Sequence, residues 1–427
     1  MTVLGILLGV FLLLMALGIP IAVAMGVASV AALFIATDLP MVAVGQRMLV
    51  ILDSFPFLAL PFFILAGLFM EQGGITQRLV DFAGIFVGRI TGGLAQVLIG
   101  ANLVMSGTSG SAVADCAATG TVLIPAMDKA GYSRAFAAAL TAAAATAGPL
   151  IPPSIMFVLY GAIANVSIGQ LFIAGVVPGL IVGLYLGVAA YIISKQRGYP
   201  KLPPVTLVEA ARITLKAAPA LLMPIVVLGG IIGGVFTPTE AGAIAAVYGF
   251  VVSMFVYREM RWSQLPGVLI TTGVITAAVM LIVSAASLFS WILTRERAPD
   301  MLTGALTTLT SDPMVFLLLV NIILIVLGCV LEAISLLIMI TPIMVPLIAA
   351  YGIDPVHFGV VLVLCLTIGL NTPPVGMNMF IVCAISKITI GQYTREALPF
   401  LLALVLVLVL ITYVPQTVLW LPGLVGN

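Results

Sequence analysis

The chain alternates between long apolar runs and short polar breaks, and the length of each run limits what it can be. A run of about 20 apolar residues spans a bilayer as a helix, and such runs recur along the whole sequence. In the first half the pattern predicts a membrane segment or pair over 3–36, then an amphipathic stretch carrying Arg47 and Asp53. A helix over 56–71 follows, then an apolar run over 94–127 that is interrupted near its middle. A helix broken at its centre (133–164) and a closing span (170–194) complete the half. The same series returns as 217–257, a stretch with Arg258, Glu259 and Arg261, then 267–293, 314–349, 355–385 and 398–420. The interrupted runs are long for one crossing and small or polar at the middle. That suits a re-entrant hairpin, which enters and leaves on one side.

The two halves align residue by residue. Pro125 matches Pro346 at an offset of 221, and the same offset pairs Gly131 with Gly352, Gly148 with Gly369 and Met156 with Met377. It also pairs Pro152-Pro153 with Pro373-Pro374. After a one-residue slip, Ile168-Gly169-Gln170 matches Ile390-Gly391-Gln392. Apolar resemblance alone does not produce two Pro-Pro pairs, each with a glycine four residues before. The chain is read as an internal two-fold repeat.

Composition agrees. Only 7% of the 427 residues are charged and 63% are hydrophobic, against roughly 25% charged in a soluble domain. The expectation is an all-α polytopic membrane protein. The N-terminal MTVLGILLGVFLLLMALGIP has no basic n-region and no small-residue cleavage site, so it is expected to be a membrane segment rather than a signal peptide. A net charge of +1 offers nothing to nucleic acid. The four cysteines lie in apolar runs without a C-x-x-C pair and read as buried hydrophobes. Lys195, Arg197, Lys201, Arg212 and Lys216, five of the sixteen basic residues, crowd the stretch between the halves, which is therefore expected on the cytoplasmic side. If the repeats are inverted, both termini are periplasmic.

The broken helices carry the chemistry. In AATAGPLIPPSIMF (144–157), Pro149, Pro152 and Pro153 lack N–H donors, and each proline disfavours helix in the residue before it. The helix must stop near Gly148 and restart near Pro153, with Ser154 available as a cap. The stop frees carbonyls, among them those of Gly148, Pro149 and Ile151, as hard ligands for a small cation. The restart presents N–H groups to an anion. TIGLNTPPVGMNMF (367–380) repeats the arrangement and adds the side-chain oxygens of Asn371 and Thr372. Paired interruptions of this kind point to a transporter binding site at the midplane.

The interrupted runs hold the matching polar tips. MSGTSGSAVAD (105–115) has six Ser, Thr or Gly residues and one acid; its counterpart, GCVLEAIS (328–335), matches Gly328 with Gly107 and Glu332 with Ser111. Asp115 and Glu332 are carboxylates at membrane depth, hence functional candidates, with helix capping as the alternative for each. Thr108, Ser109, Ser154, Asn371 and Asn378 are the candidate solute contacts. Gly107-Thr108-Ser109-Gly110 also spells G-x-S-G, which an intramembrane serine protease would use with a histidine. The sole histidine, His357, is expected about a hairpin's length from Ser109, so that reading is the minor alternative. A pore is another.

GVFTPTEAGAIAAVYGF (234–250), SFPFLALPFFILAG (54–67), SGTSGSAVADCAATGTVLIPAM (106–127), AGPLIPPSIMFVLYG (147–161) and NTPPVGMNMF (371–380) together resemble the large membrane subunit of tripartite ATP-independent periplasmic (TRAP) transporters. The resemblance covers nearly the whole chain and is nearest to the sialic-acid branch. It implies a sodium-driven secondary importer of organic acids in the bacterial inner membrane, with an elevator mechanism. It implies two partners, a small four-helix membrane subunit and a periplasmic substrate-binding protein; a stand-alone sodium/organic-anion symporter is the alternative. The scaffold would comprise 1–93 and 217–313, the transport domain 94–194 and 314–427, and 195–216 the cytoplasmic linker. At least two co-transported Na+ ions are implied. One site would use Ser106, Ser111, Gly148, Ile151 and Pro152; the other Gly328, Gly369 and Thr372.

Overall fold

The computed structural model describes residues 2–37 and 39–425; Met1 and Asn427, the outer limits of the predicted segments, lie outside them. The first half runs through Thr2–Ala16 (α1), Ile21–Ala36 (α2), Val42–Val50 (α3), Ala59–Gln72 (α4) and Ile75–Val87 (α5). A hairpin follows, Gly93–Ser109 (α6) and Ala112–Lys129 (α7), then Arg134–Ala144 (α8), Ile155–Ala164 (α9) and Ile168–Arg197 (α10). The second half runs through Leu207–Ile232 (α11), Pro238–Val251 (α12), Leu265–Arg295 (α13) and Ala298–Leu309 (α14). Its hairpin is Pro313–Gly328 (α15) and Ala333–Ala350 (α16), followed by Pro355–Gly369 (α17), Met377–Ser386 (α18), Ile390–Tyr413 (α19) and Gln416–Val425 (α20). No strand occurs among the described residues. Seven helices among them are long and apolar enough to cross a membrane.

Helix caps recur at corresponding positions of the two halves. A hydroxyl or carboxylate that accepts the first free N–H groups fixes where a helix begins. Ser111 caps α7 and Glu332, at the 221 offset, caps α16; Ser133 caps α8 and Asp354 caps α17. Ser167 caps α10 and Thr389 caps α19, at the slipped offset. Asn165 and Lys387 end α9 and α18 in the same left-handed conformation, φ +54 and +55.

Both broken helices run through the buried centre. Every residue of α8 from Phe136 to Ala144 is buried, and so is every residue of α17 from Val356 to Gly369. The alanines of α8 let its neighbours α7, α18 and α19 approach closely. By contrast α1, α2, α11 and α13 leave large apolar side chains exposed, such as Leu13, Phe34, Ile225 and Ile270. In a membrane protein that surface faces lipid or partner helices.

Three features depart from the sequence pattern. The arms α5 and α14 were not predicted; they are short helices beside the hairpins, and α5 packs between α6 and α11. The elbow before α5 is Gly73-Gly74, where Gly74 has φ +66 and Arg78 bonds both carbonyls, at 3.2 and 2.7 Å. The stretch between the halves is largely helical, since α10 extends to Arg197 and α11 begins at Leu207. Its connecting residues are pinned to the base of the first hairpin: Gly93 N–H donates to the Pro200 carbonyl at 3.0 Å and Leu202 N–H to Gly88 at 2.9 Å. The closing span of the second half begins earlier than predicted and breaks at Pro415, giving α19 and α20.

Candidate functional site

The first hairpin turns at Gly110, φ +63, a conformation that costs glycine little. A Cβ there would also collide with the Pro153 carbonyl oxygen, so the hairpin tip lies directly on the break between α8 and α9. Gly148 forms the other half of the contact. A Cβ on it would stand 2.7 Å from Asp115 Oδ2 and 3.1 Å from the backbone of Ser111 and Ala112. The break itself is held by Ser154, whose hydroxyl donates to the Pro149 carbonyl at 2.5 Å and accepts from Phe157 N–H at 3.2 Å. The Pro152-Pro153 bond is cis. Among the described residues, no N–H or hydroxyl reaches the carbonyls of Gly148, Ile151 or Pro152. Of the carbonyls expected to be free, only that of Pro149 is taken.

Ser109 Oγ accepts from Ser111 N–H at 3.3 Å and donates to Asp115 Oδ1. Asp115 is fully buried, and its Oδ2 has no hydrogen-bond partner among the described residues. Ser106, also fully buried, donates to the Asn102 carbonyl at 2.6 Å. Ser111, Asp115 and Gly148 thus meet at the end of α8, and the Pro152 carbonyl lies against Gly107 of the same hairpin, next to Ser106 in the chain.

The second half closes more tightly. A Cβ on Gly369 would meet the Gly328 backbone at 2.5 Å, so the end of α15 rests on the end of α17 backbone to backbone. Val375 N–H donates to the Cys329 carbonyl at 3.0 Å and straps the break to the hairpin. Thr372 Oγ1 donates to the Ile368 carbonyl at 2.8 Å, and its N–H donates to the Gly369 carbonyl at 3.0 Å. The Gly328 carbonyl accepts no N–H among the described residues. Glu332 caps α16, accepting from Ile334 N–H at 3.0 Å and Ser335 N–H at 2.7 Å. The two carboxylates therefore differ: Glu332 caps its helix and Asp115 does not.

Between the first hairpin tip and α4 lies a cavity of about 150 Å³. Thr108, Ser109 and Ser111 face it from the hairpin, Glu71 from α4, and Ile275 and Val279 from α13. No basic residue lines it. Ser154, Asn371 and Asn378 are not in its wall. Asn371 instead ties the broken helices together, donating to Thr146 Oγ1 at 2.7 Å and accepting from Asn378 Nδ2 at 3.1 Å and, on its carbonyl, from the Tyr393 hydroxyl at 2.9 Å. Sequence reasoning missed Thr146, although the repeat offset pairs it with Thr367. Glu71 gave no signal, because only the packing of α4 on the hairpin brings this exposed residue to the cavity edge. His357 Nε2 lies 2.8 Å from the Ile411 carbonyl, and Ser109 is bonded to Asp115, so the serine–histidine pair of the protease reading is not formed.

A family model described as "Tripartite ATP-independent periplasmic transporter, DctM component" matches residues 8–417. The chain belongs to this family. It is 44% identical over 374 residues, 88% of each chain, to the C4-dicarboxylate TRAP transporter large permease protein DctM of Pseudomonas aeruginosa. It is 43% identical over 380 residues, 89% of each, to the sialic acid TRAP transporter large permease protein SiaM of Vibrio cholerae. Against the isethionate TRAP transporter permease protein DctMQ of Oleidesulfovibrio alaskensis it is 40% identical and spans 98% of this chain but 66% of that one. The YdaH transporter of Alcanivorax borkumensis shares the fold, with a TM-score of 0.61 at 16% identity over 91% of this chain and 90% of that one. This TRAP large permease is a polytopic membrane subunit of a transporter and not an enzyme.

Proposed function

We propose that this subunit drives import of a small organic acid across the inner membrane with sodium ions bound where each hairpin meets a broken helix. The observation that carries the reading is the set of carbonyls at Gly148, Ile151 and Pro152 without donors, with Gly148 itself against Ser111 and the half-satisfied Asp115. Hard oxygen ligands of this kind suit a small cation. Gly328, Gly369 and Thr372 supply the second site. The solute occupies the cavity at Thr108 and Ser109, beside the first ion. With no basic side chain in that wall, the anion's charge is met by the co-transported sodium.

The acid is small. The cavity combines hydroxyls with aliphatic walls from Ile64, Leu68, Met105, Ile155 and Ile334. That lining favours a short-chain acid, such as a C4-dicarboxylate, over the sialic acid suggested by sequence resemblance. Relatives named for C4-dicarboxylates and for sialic acid match the chain equally well. A small membrane subunit and a periplasmic binding protein that delivers the solute complete the transporter. The hairpins, broken helices and closing spans form the moving body, and α1–α4 and α11–α13 the scaffold.

Two ions suffice energetically. A hundredfold accumulation costs about 2.7 kcal/mol, at about 1.4 per tenfold. With a monoanion, two sodium ions carry one net charge, which supplies about 2.3 kcal/mol through 100 mV, and a tenfold sodium gradient adds about 1.4 kcal/mol per ion. With a dicarboxylate the net charge is zero, and the two sodium gradients alone, about 2.8 kcal/mol, just cover the cost.

Accessibility of the hairpin tip tests this reading. In a Cys116→Ala background, Ser109→Cys should react with a membrane-impermeant thiol reagent from one side at a time. Solute plus sodium should slow the reaction. Labelling from both sides at once, indifferent to solute and sodium, would show that the tip is not a moving gate.

A further inference from the structure

Arg47 and Arg295 come from distant parts of the chain to one indole. The Arg47 guanidinium lies 5.0 Å and that of Arg295 5.7 Å from the centre of the Trp291 ring. Two cations gathered at one ring repel each other, and neither forms an ion pair among the described residues. The three ion pairs among the described residues are Arg78–Glu259, Arg134–Asp128 and Arg197–Glu396. Neither Arg47 nor Arg295 donates a side-chain hydrogen bond among the described residues. The placement is nevertheless built: Ser284 Oγ donates to the Met48 carbonyl at 2.8 Å and Ser287 Oγ to the Arg47 carbonyl at 3.5 Å, fixing the arm α3 against α13. Stacking uses the flat face of a guanidinium and leaves its in-plane N–H fork for a carboxylate or phosphate.

A cavity of about 240 Å³ opens beside Trp291, with Ser287 and Ser290 on the α13 wall and Ile163 and Pro342 from α9 and α16 opposite. It is the neighbour of the hairpin-tip cavity along the same helix. Ile275 and Val279 line the one, and Val283 to Trp291 line the other, beginning one helical turn further on. Glu71 and no basic residue line the first; no charged residue lines the second, but Trp291 in its wall carries both arginines against its ring.

We propose that Arg47, Trp291 and Arg295 form an oxyanion-receiving site at the far end of α13, where a carboxylate or phosphate is held before the solute path narrows toward the hairpin tip. This assignment rests on the transport reading for its role, but its binding chemistry is testable without transport. The oxyanion comes either from the solute or from an anionic lipid at this rim.

The test uses Trp291 as its own reporter. The full chain carrying Trp262→Phe and Trp420→Phe is placed in phosphatidylcholine nanodiscs, in sodium-free potassium buffer of constant ionic strength, and titrated with succinate. A saturable change in Trp291 emission is expected, and Arg47→Gln or Arg295→Gln should weaken it by about tenfold or more, the loss of one charge-assisted contact. Arg47→Lys, which keeps the charge but not the fork, should fall between. If phosphatidylglycerol nanodiscs alone produce the change and abolish the succinate response, the oxyanion is the lipid phosphate. Emission that ignores both succinate and phosphatidylglycerol overturns the site, as does a response unaltered in the Arg47→Gln/Arg295→Gln double variant. An unchanged gel-filtration profile and thermal midpoint exclude misfolding of the variants. Because the measurement contains no sodium and no flux, failure of sodium-driven uptake would leave its result standing.

Discussion

The Ser109 hydroxyl donates to one oxygen of Asp115, while the other oxygen of that carboxylate faces Gly148 with no partner. A buried, half-satisfied carboxylate is costly unless a cation joins it. Asp115→Asn keeps an oxygen for Ser109 and removes the charge facing the bend. Losing a charge-assisted contact costs about 1.5–3 kcal/mol, roughly ten- to a hundredfold in ion affinity. The half-saturating sodium concentration for uptake should rise accordingly; an unchanged value would place Asp115 outside the ion site.

Glu332 should behave differently, because both its oxygens already serve the start of α16. Glu332→Ala should cost about 1 kcal/mol of stability as a lost cap. A thermal melt should show a lower midpoint, and the sodium dependence of uptake should stay as in the parent protein.

The contrast between these two acids marks where the sequence stops being informative. Proline pairs, hairpin midpoints and the offset that links them were legible, because proline forbids the helix ladder and small residues mark a re-entrant turn. Capping was undecided for both acids, since it depends on whether the backbone N–H groups two and three residues on face the carboxylate. They do for Glu332; at the first tip Ser111 has taken that place. Ser154, Asn371 and Asn378 looked like solute contacts because they are polar and lie at the breaks. Ser154 and Asn371 spend hydrogen bonds on the breaks themselves, and Asn378 Nδ2 donates to Asn371 Oδ1, whereas Asn378 Oδ1 is buried without a partner among the described residues. Glu71 and the Arg47–Trp291 pairing arise only from tertiary packing.

Ser111 and Thr372 are one-oxygen tests of the two ion sites. Ser111→Ala and Thr372→Ala should each raise the sodium requirement, again roughly tenfold or more if a charge-assisted contact is lost. Ser111 also caps α7, so Ser111→Gly is the control, since glycine costs a helix start only a few tenths of a kcal/mol. If Ser111→Gly restores parental sodium dependence, Ser111 acts as a cap and not as a ligand.

Gly369 and Gly328 meet backbone to backbone. Gly369→Ala should force α15 away from α17, lowering both the thermal midpoint and the sodium affinity of the second site. Gly391→Ala, with nothing within 4 Å of a new Cβ, should change neither. Equal behaviour of the two variants in melts and uptake would contradict the close packing assigned to the second site.

The coupling itself is tested most directly by uptake into proteoliposomes that contain this subunit, its small membrane partner and the solute-loaded binding protein. The account predicts accumulation above equilibrium when an inward sodium gradient is imposed, none when potassium replaces sodium, and no stimulation by ATP. Uptake that persists unchanged in potassium, or that requires ATP, would contradict sodium coupling at the hairpin–helix junctions.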